Sequence, residues 1–438
     1  MTDNDISLSS ARHAAPDRRE FLGTAGRAAG LMILKPSLVR GTAANSALRV
    51  GLLGCGLRGT VDATDLLNTG SARIVALADL FRDQLDNAKN HFDGLNQSKG
   101  YPPIESSQLF LGPHAAEEIS ASQQVDAVVI TTPPYFHPEH LDTVVKAGKH
   151  AYCEKPVAVD VPGAMQVIDI GTKAQGKLSL EVGFQIRSAP PFVELVKRIH
   201  GGALGRIASG EAHYFSTYIT RPAWTAASPP QRRLRNWIYD RVLSGDIIVE
   251  QNIHVIDICN WVLQSHPMRA AATGGREARP SDGDVYGHYN GVFYYPDDIA
   301  VSFSSTQFNK GWWDVTERFF GSKGVSQSPY SGPIGIWGDE PWQPSGVVKQ
   351  TPEPKEFSVT GSFLNNLADA DSEKKKGFVE SILSGNFHNQ AAAGAESALS
   401  CIMARSAAYK GRDITWDEML KSGERWELGF DLNEVVSS

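Results

Sequence analysis

Short apolar runs alternate with amphipathic stretches over the first half of the chain. The runs at 48–53, 73–78, 125–131 and 150–153 have the length and composition of buried strands. Stretches with helical periodicity lie between them, the clearest of them at 138–147. Strand–helix alternation of this kind predicts a parallel, doubly wound sheet, with ligands bound outside the carboxyl ends of the strands.

In the second half of the chain the pattern changes to alternating apolar and polar residues. Residues 206–218, 285–295 and 299–308 show this alternation, which is typical of half-buried antiparallel strands. We expect long loops at 309–346, which is rich in Gly and Pro. The lysine-rich stretch 373–376 is expected to be the solvent-exposed start of a helix.

Composition and charge narrow the class of protein. The chain has 438 residues, of which 41% are hydrophobic and 21% charged, enough for two domains with complete cores. The net charge of −7 and the lack of a basic stretch argue against a nucleic-acid partner. The apolar runs are far shorter than the ~20 residues of a membrane-spanning helix. The four cysteines are widely separated, which argues against a disulfide scaffold and a cysteine-based zinc site.

The N-terminal residues resemble an export signal. Arg18 and Arg19 are followed by Phe21 and Leu22, and then by a weakly apolar stretch with small residues that extends to Leu34. This order is typical of a twin-arginine signal, which exports proteins after they have folded. We therefore expect a periplasmic or other extracytoplasmic location. A disordered basic tail is the alternative.

A glycine-rich turn joins the first predicted strand to its helix. Gly54, Gly56 and Gly59 have the spacing G-x-G-x-x-G, with Leu57 and Arg58 between the last two. The first glycine allows a tight turn, the second a close approach to a diphosphate, and the third close helix–strand packing. The helix N-terminus favours the phosphates. We expect these five residues to bind a dinucleotide; a purely structural turn is the alternative.

Polar residues also stand at the carboxyl ends of later strands. Asp79 ends the second strand, twenty residues beyond Gly59, where a carboxylate accepts hydrogen bonds from a ribose and repels a 2′-phosphate. NAD is therefore favoured over NADP, although Arg82 nearby weakens the preference. The other residues expected at this cofactor edge are Thr132, Pro133, His137, Glu154 and Lys155.

A polar stripe crosses the otherwise apolar stretch 244–261. Read as one helix, it places Glu250, His254, Asp257 and Trp261 on one face, at i, i+4, i+7 and i+11. Buried polar groups without partners are costly, so we expect a shared role for them. A hydrogen-bonded core histidine is one alternative, and a metal site made by the Glu, His and Asp is another.

Three motifs together resemble one family. The glycine loop, Thr-Pro-x-x-x-His at 132–137 and Cys-Glu-Lys-Pro at 153–156 are similar to those of the Gfo/Idh/MocA family of nicotinamide-dependent sugar and cyclitol oxidoreductases. The resemblance covers about residues 47–420. It implies an α/β protein with an N-terminal Rossmann doubly wound parallel sheet and a C-terminal α/β domain with a large open, mostly antiparallel sheet. It also implies a homo-oligomer, a dimer or tetramer.

The resemblance assigns the domains. We expect a leader at 1–46, a Rossmann dinucleotide-binding domain at 47–160 and a C-terminal tail at 421–438. Residues 161–420 would form the substrate-binding and oligomerisation domain, with helices that return to the first domain. Substrate would lie between the two domains, over the nicotinamide.

The resemblance also implies catalytic roles. Lys155 would orient the substrate and His254 would act as general acid and base at the reacting hydroxyl. Glu250 would hold a neighbouring hydroxyl, in a position where the family usually has an aspartate. A hydride-transfer pocket explains this polar set without a metal ion, so no metal is expected.

Further contacts are implied by position in the family. Gln185 would contact the nicotinamide side of the cofactor. Arg187 and Asp257 would contact the carbohydrate, together with Glu250. No internal repeat is evident in the sequence.

These residues predict a dehydrogenase that acts on a secondary hydroxyl of a sugar, cyclitol or sugar derivative. Outside the cytoplasm no soluble nicotinamide pool is expected, so NAD would stay tightly bound and a second substrate would re-oxidise it. The alternative is an NAD-dependent glycosidase or lyase that oxidises its substrate only transiently, with no net redox change. A non-catalytic sugar-binding protein is a third class, which the intact pair Lys155 and His254 argues against.

Replacing Arg18 and Arg19 together by lysine is expected to keep the protein in the cytoplasm, still folded and loaded with cofactor. The reason is that the arginine pair is the feature by which this signal is recognised. Cell fractionation of the wild type and the double variant measures the location. Normal export of the double variant would show that the leader is of another kind.

Overall fold

The computed structural model describes residues 47–279, 283–345 and 365–436. The predicted export signal therefore lies outside the described residues. Two sheets organise the described chain, and helices cover both faces of the first. Within these ranges no helix combines the length and the apolar character that crossing a membrane requires.

The first sheet is the predicted doubly wound parallel sheet. It has six strands in the order β3-β2-β1-β4-β5-β6, all of them parallel. The order reverses between β1 and β4, which opens a crevice at their carboxyl ends. The strands are β1 (Leu48–Leu53), β2 (Ala72–Asp79), β3 (Leu109–Leu111), β4 (Ala127–Ile130), β5 (His150–Cys153) and β6 (Leu180–Val182).

The second sheet is open and mostly antiparallel, which confirms the predicted fold class. Its eight strands have the order β13-β12-β11-β7-β10-β9-β8-β14, and only β7 and β10 run parallel. The strands are β7 (Ile207–Thr217), β8 (Arg269–Gly275), β9 (His288–Tyr294), β10 (Ala300–Asn309), β11 (Asp314–Gly321), β12 (Gly324–Gln327), β13 (Gly335–Gly338) and β14 (Ile414–Thr415).

Part of the sequence interpretation of this sheet is wrong. The stretch 309–346 was expected to form long loops, but it contains β11, β12 and β13. Strand β11 pairs along its length with β7, and it buries Val315, Glu317 and Phe319 on the face turned to the core. Because its partner strand lies about a hundred residues earlier, pairing outweighs the local Gly and Pro content.

The helices occupy the connections between strands and the C-terminal part of the chain. Short 3-10 turns add to them at Pro134–Phe136, Gln185–Ser188 and Trp237–Tyr239. The helices are α1 (Leu57–Asn68), α2 (Arg82–Ser98), α3 (Ala115–Ala121), α4 (His137–Lys146), α5 (Val161–Ala174), α6 (Pro190–His200), α7 (Pro229–Arg235), α8 (Arg241–Ser244), α9 (Ile247–Glu250), α10 (Ile253–Leu263), α11 (Ala370–Ser384), α12 (Ala391–Lys410), α13 (Trp416–Ser422) and α14 (Leu432–Val436).

The predicted single helix at 244–261 is broken. Asp246 has a positive φ of 76°, its carboxylate accepts the backbone N–H of Ile247, and α9 ends at Glu250. The helix resumes only at Ile253, after Gln251, whose side-chain oxygen accepts hydrogen bonds from Ser216 and Gln307 of the second sheet. Glu250 and His254 therefore belong to different helices rather than to one helix face.

Lys374 and Lys375 at the start of α11 are buried, whereas Glu373 and Lys376 are exposed, so the expectation of a solvent-exposed segment is wrong for the two middle residues. Lys375 lies 2.6 Å from a carboxylate oxygen of Asp62 on α1 and 3.2 Å from one of Asp371. Lys374 lies 2.7 Å from a carboxylate oxygen of Glu181 on β6. These ion pairs satisfy the buried ammonium groups and fasten α11 to the Rossmann domain.

The segment predicted as a C-terminal tail packs against the fold as far as it is described. The buried guanidinium of Arg405 stacks on the ring of Trp426 at 3.7 Å and pairs with Glu424 at 3.3 Å. Farther along, Val435 packs with Phe136 and Leu234 in a small apolar cluster. The C-terminal residues thus contact both domains.

Glu317 on β11 is a buried acid outside the crevice. Its side chain has no solvent exposure, and the Ser328 hydroxyl donates a hydrogen bond to it at 2.8 Å. Burial raises the pKa of this carboxyl from 4.5 to about 8. The folded protein therefore holds Glu317 protonated at neutral pH.

The pKa of Glu317 predicts a pH-dependent stability difference. The unfolded carboxyl ionises near pH 4.5 and the folded one near pH 8, so wild-type stability falls as pH rises through this window. Glu317→Gln removes this loss, and its advantage in unfolding free energy should grow to the order of a few kcal/mol above pH 8. Denaturant titrations at several pH values measure it, with Glu340→Gln as an exposed control. A constant difference between wild type and Glu317→Gln at all pH values would contradict the burial argument.

Candidate active site

The glycine loop between β1 and α1 leaves room for a ligand backbone to approach. Gly54 has φ +95°, and a Cβ on it would lie 2.8 Å from the backbone of Thr131 and Thr132. A Cβ on Gly59 would overlap the carbonyl oxygen of Gly54. A Cβ on Gly56, by contrast, would meet only open space. The first and third glycines are thus required by packing, and the second faces the space that a diphosphate would fill at the start of α1.

A cavity of about 350 Å³ lies at this loop. Its Rossmann wall combines the glycine loop with the ends of β2 and β4. The predicted cofactor residues along this wall are Gly54, Gly56, Leu57, Arg58, Gly59, Asp79, Thr132 and Pro133. A cradle with this shape and a carboxylate at its far end fits a dinucleotide.

Asp79 is held rigidly at the adenosine end of the cavity. Its two carboxylate oxygens accept backbone N–H groups of Cys55 at 2.7 Å and of Phe81 at 2.8 Å. Burial raises the pKa of Asp79 to about 6, and these hydrogen bonds oppose the rise. Each oxygen keeps a further lone pair, so the carboxylate can still accept from the hydroxyls of a ribose.

A second, smaller pocket of about 80 Å³ adjoins the cavity, and the two share Leu57, Arg58, Thr131, Thr132, Arg221 and Trp237. The structure brings most of the predicted catalytic and nicotinamide-side residues together here, although they come from five separate segments. They are His137, Glu154, Lys155, Gln185, Glu250 and His254.

Lys155 is oriented by Glu250. Its ammonium group donates to the backbone carbonyl of Glu250 at 2.7 Å and lies 3.3 Å from the Glu250 carboxylate. The backbone N–H of Lys155 in turn donates to Glu154 Oε2 at 3.0 Å. An ammonium has three donors, so one remains for a ligand in the pocket.

His254 is buried, and its ring edge faces Phe184 at a centroid distance of 6.3 Å. Nδ1 has no hydrogen-bond partner among the described residues. Burial lowers the pKa of His254 well below its usual value, and the positive charges of Lys155 and Arg58 lower it further. The imidazole is therefore neutral at physiological pH and can accept a proton.

Arg58 lines the cavity, but the structure directs its guanidinium away into a buried ion cluster. It donates to Glu154 Oε1 at 2.9 Å and to Asp371 Oδ1 at 2.9 Å, and lies 3.1 Å from Asp62. With Lys375, these residues form what we call the Arg58 cluster. The charge of Arg58 is thus largely balanced within the protein, and its contact with the cofactor stays a prediction, because the residue also lines both the cavity and the adjoining pocket.

His137 likewise has its ring nitrogens engaged by the protein. Nδ1 lies 2.7 Å from the carbonyl oxygen of Pro156 and Nε2 lies 2.7 Å from that of Thr132. Burial lowers the pKa of this histidine. The neutral ring donates to one of these two carbonyl oxygens and lies between two strand-end loops beside the pocket, and its contact with the cofactor stays a prediction.

Two predicted substrate contacts do not reach the pocket. Arg187 donates to both carboxylate oxygens of Asp257, at 2.7 and 2.9 Å, and Ser397 on α12 donates to the same carboxylate at 2.7 Å. Neither residue lines the space around His254. The pair instead joins the Gln185–Ser188 turn to α10 and α12, so these predicted contacts are not supported.

The sequence interpretation missed the second-domain wall of the cavity. This wall comes from residues 218–237, and its guanidinium and indole groups are Arg221, Trp224, Arg235 and Trp237. The sequence interpretation also missed His140 on α4, which lines the cavity. Its Nδ1 is hydrogen-bonded to the Thr132 hydroxyl at 2.9 Å. The density of Trp and Arg in a Pro-containing connection is the signal that could have indicated this wall.

The metal alternative has no geometric support within the described ranges. No group of three His, Cys, Asp or Glu side chains there is placed so as to hold an ion. In the broken helix, Asp257 is turned to Arg187, while Glu250 is turned to Lys155.

Comparison with known families agrees with this architecture. Residues 48–182 match the oxidoreductase family with an NAD-binding Rossmann fold, and residues 192–327 match the GFO/IDH/MocA C-terminal domain. The chain belongs to the Gfo/Idh/MocA family. Membership confirms the predicted oxidoreductase class and the NAD cofactor.

Individual members of the Gfo/Idh/MocA family are distant in sequence. An inositol 2-dehydrogenase of Rhizobium meliloti is 26% identical over 66% of this chain and 78% of its own length. A myo-inositol 2-dehydrogenase of Thermotoga maritima is 24% identical over 77% of this chain and 89% of its own. The solved aldose-aldose oxidoreductase of Caulobacter crescentus, complexed with glycerol, superimposes with a TM-score of 0.64 at 20% identity, over 84% of this chain and 99% of that one. This last likeness concerns the fold.

The position of Asp79 predicts the choice of dinucleotide. The wild type should bind NADH much more tightly than NADPH, because the fixed carboxylate accepts from a ribose and repels a 2′-phosphate. Asp79→Ala should weaken the binding of NADH, because the acceptor for the ribose is lost. It should also strengthen the binding of NADPH, because the repulsion of the 2′-phosphate is removed. Fluorescence titrations with the two reduced dinucleotides measure the dissociation constants, and equal constants for the wild type would contradict this role of Asp79.

Proposed function

We propose that this chain is an NAD(P)-dependent dehydrogenase that acts on a secondary hydroxyl of a sugar, a cyclitol or a sugar derivative. The observation that carries the proposal is the pocket of Lys155, Glu250 and His254, which adjoins the dinucleotide cavity and shares lining residues with it. A proton acceptor and a cation at such a junction suit the oxidation of an alcohol.

His254 is the proposed general base. When bound, NAD accepts the hydride that leaves the substrate carbon. His254 takes the proton of the same hydroxyl, for which a neutral imidazole is required, and the lowered pKa of His254 supplies that state. In the reverse direction the imidazolium returns the proton to the carbonyl oxygen.

Lys155 is the proposed orienting group. Two of its three donors are directed at Glu250, so the third has a defined direction and can be used for the reacting oxygen. A fixed ammonium there stabilises the negative charge that develops on oxygen as the proton leaves.

Glu250 has two proposed roles, which are to orient Lys155 and to select the substrate. Its carboxylate pairs with Lys155 and also lines the pocket, where it can hold a hydroxyl next to the reacting one. In the family this position usually holds an aspartate, and the extra methylene of Glu250 is the difference that we expect to affect which substrates fit.

The relatives support the substrate class. The proteins from Rhizobium meliloti and Thermotoga maritima are inositol 2-dehydrogenases by name, and inositol is a ring of secondary alcohols. We also propose export by the twin-arginine route, from Arg18 and Arg19 of the leader. A dimer or tetramer, which the family resemblance implies, belongs to the same proposal.

The catalytic proposal predicts a large loss of rate without loss of cofactor. His254→Ala and Lys155→Ala should each lower kcat by roughly 10²–10⁴-fold, the range expected when proton-transfer assistance is removed. Lys146→Ala, at an exposed position on α4, is the matched control and should leave kcat unchanged. Glu250→Gln should act mainly on KM, and Glu250→Asp tests the effect of the extra methylene.

The deciding measurement is a single turnover of the NAD-loaded protein with a panel of cyclitols, sugars and glycosides, followed by nicotinamide absorbance. Reduced cofactor that persists until a second substrate is added supports the dehydrogenase. Transient reduction with release of free sugar would show the glycosidase or lyase instead. Full turnover by His254→Ala would show that this histidine is a core residue.

A further inference from the structure

The second domain forms one complete wall of the dinucleotide cavity. Residues 218–237 connect β7 to the 3-10 turn at Trp237–Tyr239, and they lie opposite the glycine loop and Asp79. Their contribution to the cavity consists of Arg221, Pro222, Trp224, Leu234, Arg235 and Trp237, and Leu432 of α14 adds to it. A dinucleotide in this cavity is therefore covered on the side that an isolated Rossmann domain leaves open.

At the adenosine end, a single side chain joins the two walls. Arg235 on α7 donates to both carboxylate oxygens of Asp83, at 2.7 and 2.9 Å, from across the cavity. Its guanidinium also lies over the ring of Phe81 at 3.9 Å and over that of Trp224 at 4.3 Å. Phe81 and Asp83 lie two and four residues after Asp79, so this contact closes the cavity beside the residue that selects the ribose.

The four residues Phe81, Asp83, Trp224 and Arg235 are called the Arg235 latch below. The latch has the features of a defined contact. A bidentate guanidinium–carboxylate pair fixes both distance and direction, and the planar guanidinium stacks on aromatic rings. Only 15% of the Arg235 side chain is exposed, against 45% of Asp83. Arg235 is thus largely buried within the latch, whereas the Asp83 carboxylate is partly in solvent. The ion pair can therefore open by movement of the carboxylate away from the guanidinium.

Two buried donors on the same wall point to the ligand that the latch encloses. Nε of Arg221 and Nε1 of Trp224 are buried and have no hydrogen-bond partner among the described residues. Unsatisfied buried donors are costly, and both residues line the cavity. Arg221 lines the catalytic pocket too, so it lies where the phosphates of a dinucleotide approach its nicotinamide end.

We propose that the cavity-lining residues of the segment 218–237 retain the dinucleotide between turnovers, with Arg221 and Trp224 as donors to it and the Arg235 latch as the closure of its adenosine end. This inference rests on the proposed function, since it concerns the cofactor of that same site. Its consequence is that release of NADH requires the latch to open, so re-oxidation by a second substrate takes place within the closed site.

The release rate of NADH tests the latch directly. The purified full chain is loaded with NADH and mixed with excess NAD, and the loss of bound-NADH fluorescence gives the rate of release. Arg235→Ala should accelerate release about 10- to 100-fold, because it removes the bidentate pair and both ring contacts. Arg232→Ala, an exposed arginine on the same helix, is the matched control and should release NADH at the wild-type rate.

Two further variants separate the parts of the proposal. Asp83→Asn changes a half-exposed side chain, is expected to fold normally, and should also accelerate release, by a smaller factor than Arg235→Ala. Trp224→Phe keeps a ring over Arg235 but removes the Nε1 donor, so it should weaken NADH affinity more than it alters the latch.

The outcomes distinguish the latch from the proposed function. Release at the wild-type rate in both Arg235→Ala and Asp83→Asn would overturn the latch while leaving the dehydrogenase proposal intact. A chain that binds neither NADH nor NAD would overturn both. Equal acceleration in Arg232→Ala would show a general effect of charge on α7 and would likewise overturn the latch.

Discussion

The Arg58 cluster is the interaction on which both the fold and the site depend. Two cations and three carboxylates, from α1, the end of β5 and α11, are buried together between the domains. Buried charges are stable only as a complete set, and removal of one partner from such a set costs roughly 3–5 kcal/mol. The cluster has one carboxylate more than it has cations, and Asp62 is the carboxylate that is most easily protonated. Burial raises the pKa of Asp62 to about 7, whereas Arg58 and Lys375 hold the pKa of Asp371 at about 2.

The same cluster determines where the reacting groups lie. Glu154 accepts from Arg58 with one oxygen and from the backbone of Lys155 with the other, so it connects the glycine-loop helix to the strand end that carries the lysine. Lys155 in turn reaches Glu250. A continuous series of hydrogen bonds therefore leads from the cofactor loop to the catalytic pocket, and the position of each group is set by the one before it.

The break after Glu250 serves this arrangement. In one continuous helix, Glu250 and His254 would be stacked on a single face. The break lets the backbone carbonyl of Glu250 accept from Lys155, while Gln251 turns to Ser216 and Gln307 of the second sheet. Burial and the two nearby cations then keep His254 neutral. The pocket thus combines the fixed ammonium of Lys155 with the uncharged imidazole of His254. One continuous helix would not leave the carbonyl of Glu250 free to accept from Lys155.

The sequence alone determined the elements whose signals are local. Strands β1 and β5 have the predicted bounds. The glycine spacing, Asp79 and the strand-end motifs indicated the family and its cofactor. Tertiary structure decided the rest, because the deciding partners are distant in the chain. Lys375 is buried where it pairs with the distant Asp62 and with Asp371, and β11 forms because β7 is beside it. Arg187 and Asp257 satisfy each other instead of a ligand. The wall at 218–237 depends on how the two domains meet: its Trp and Arg residues are visible in the sequence, but the cavity that they line is not.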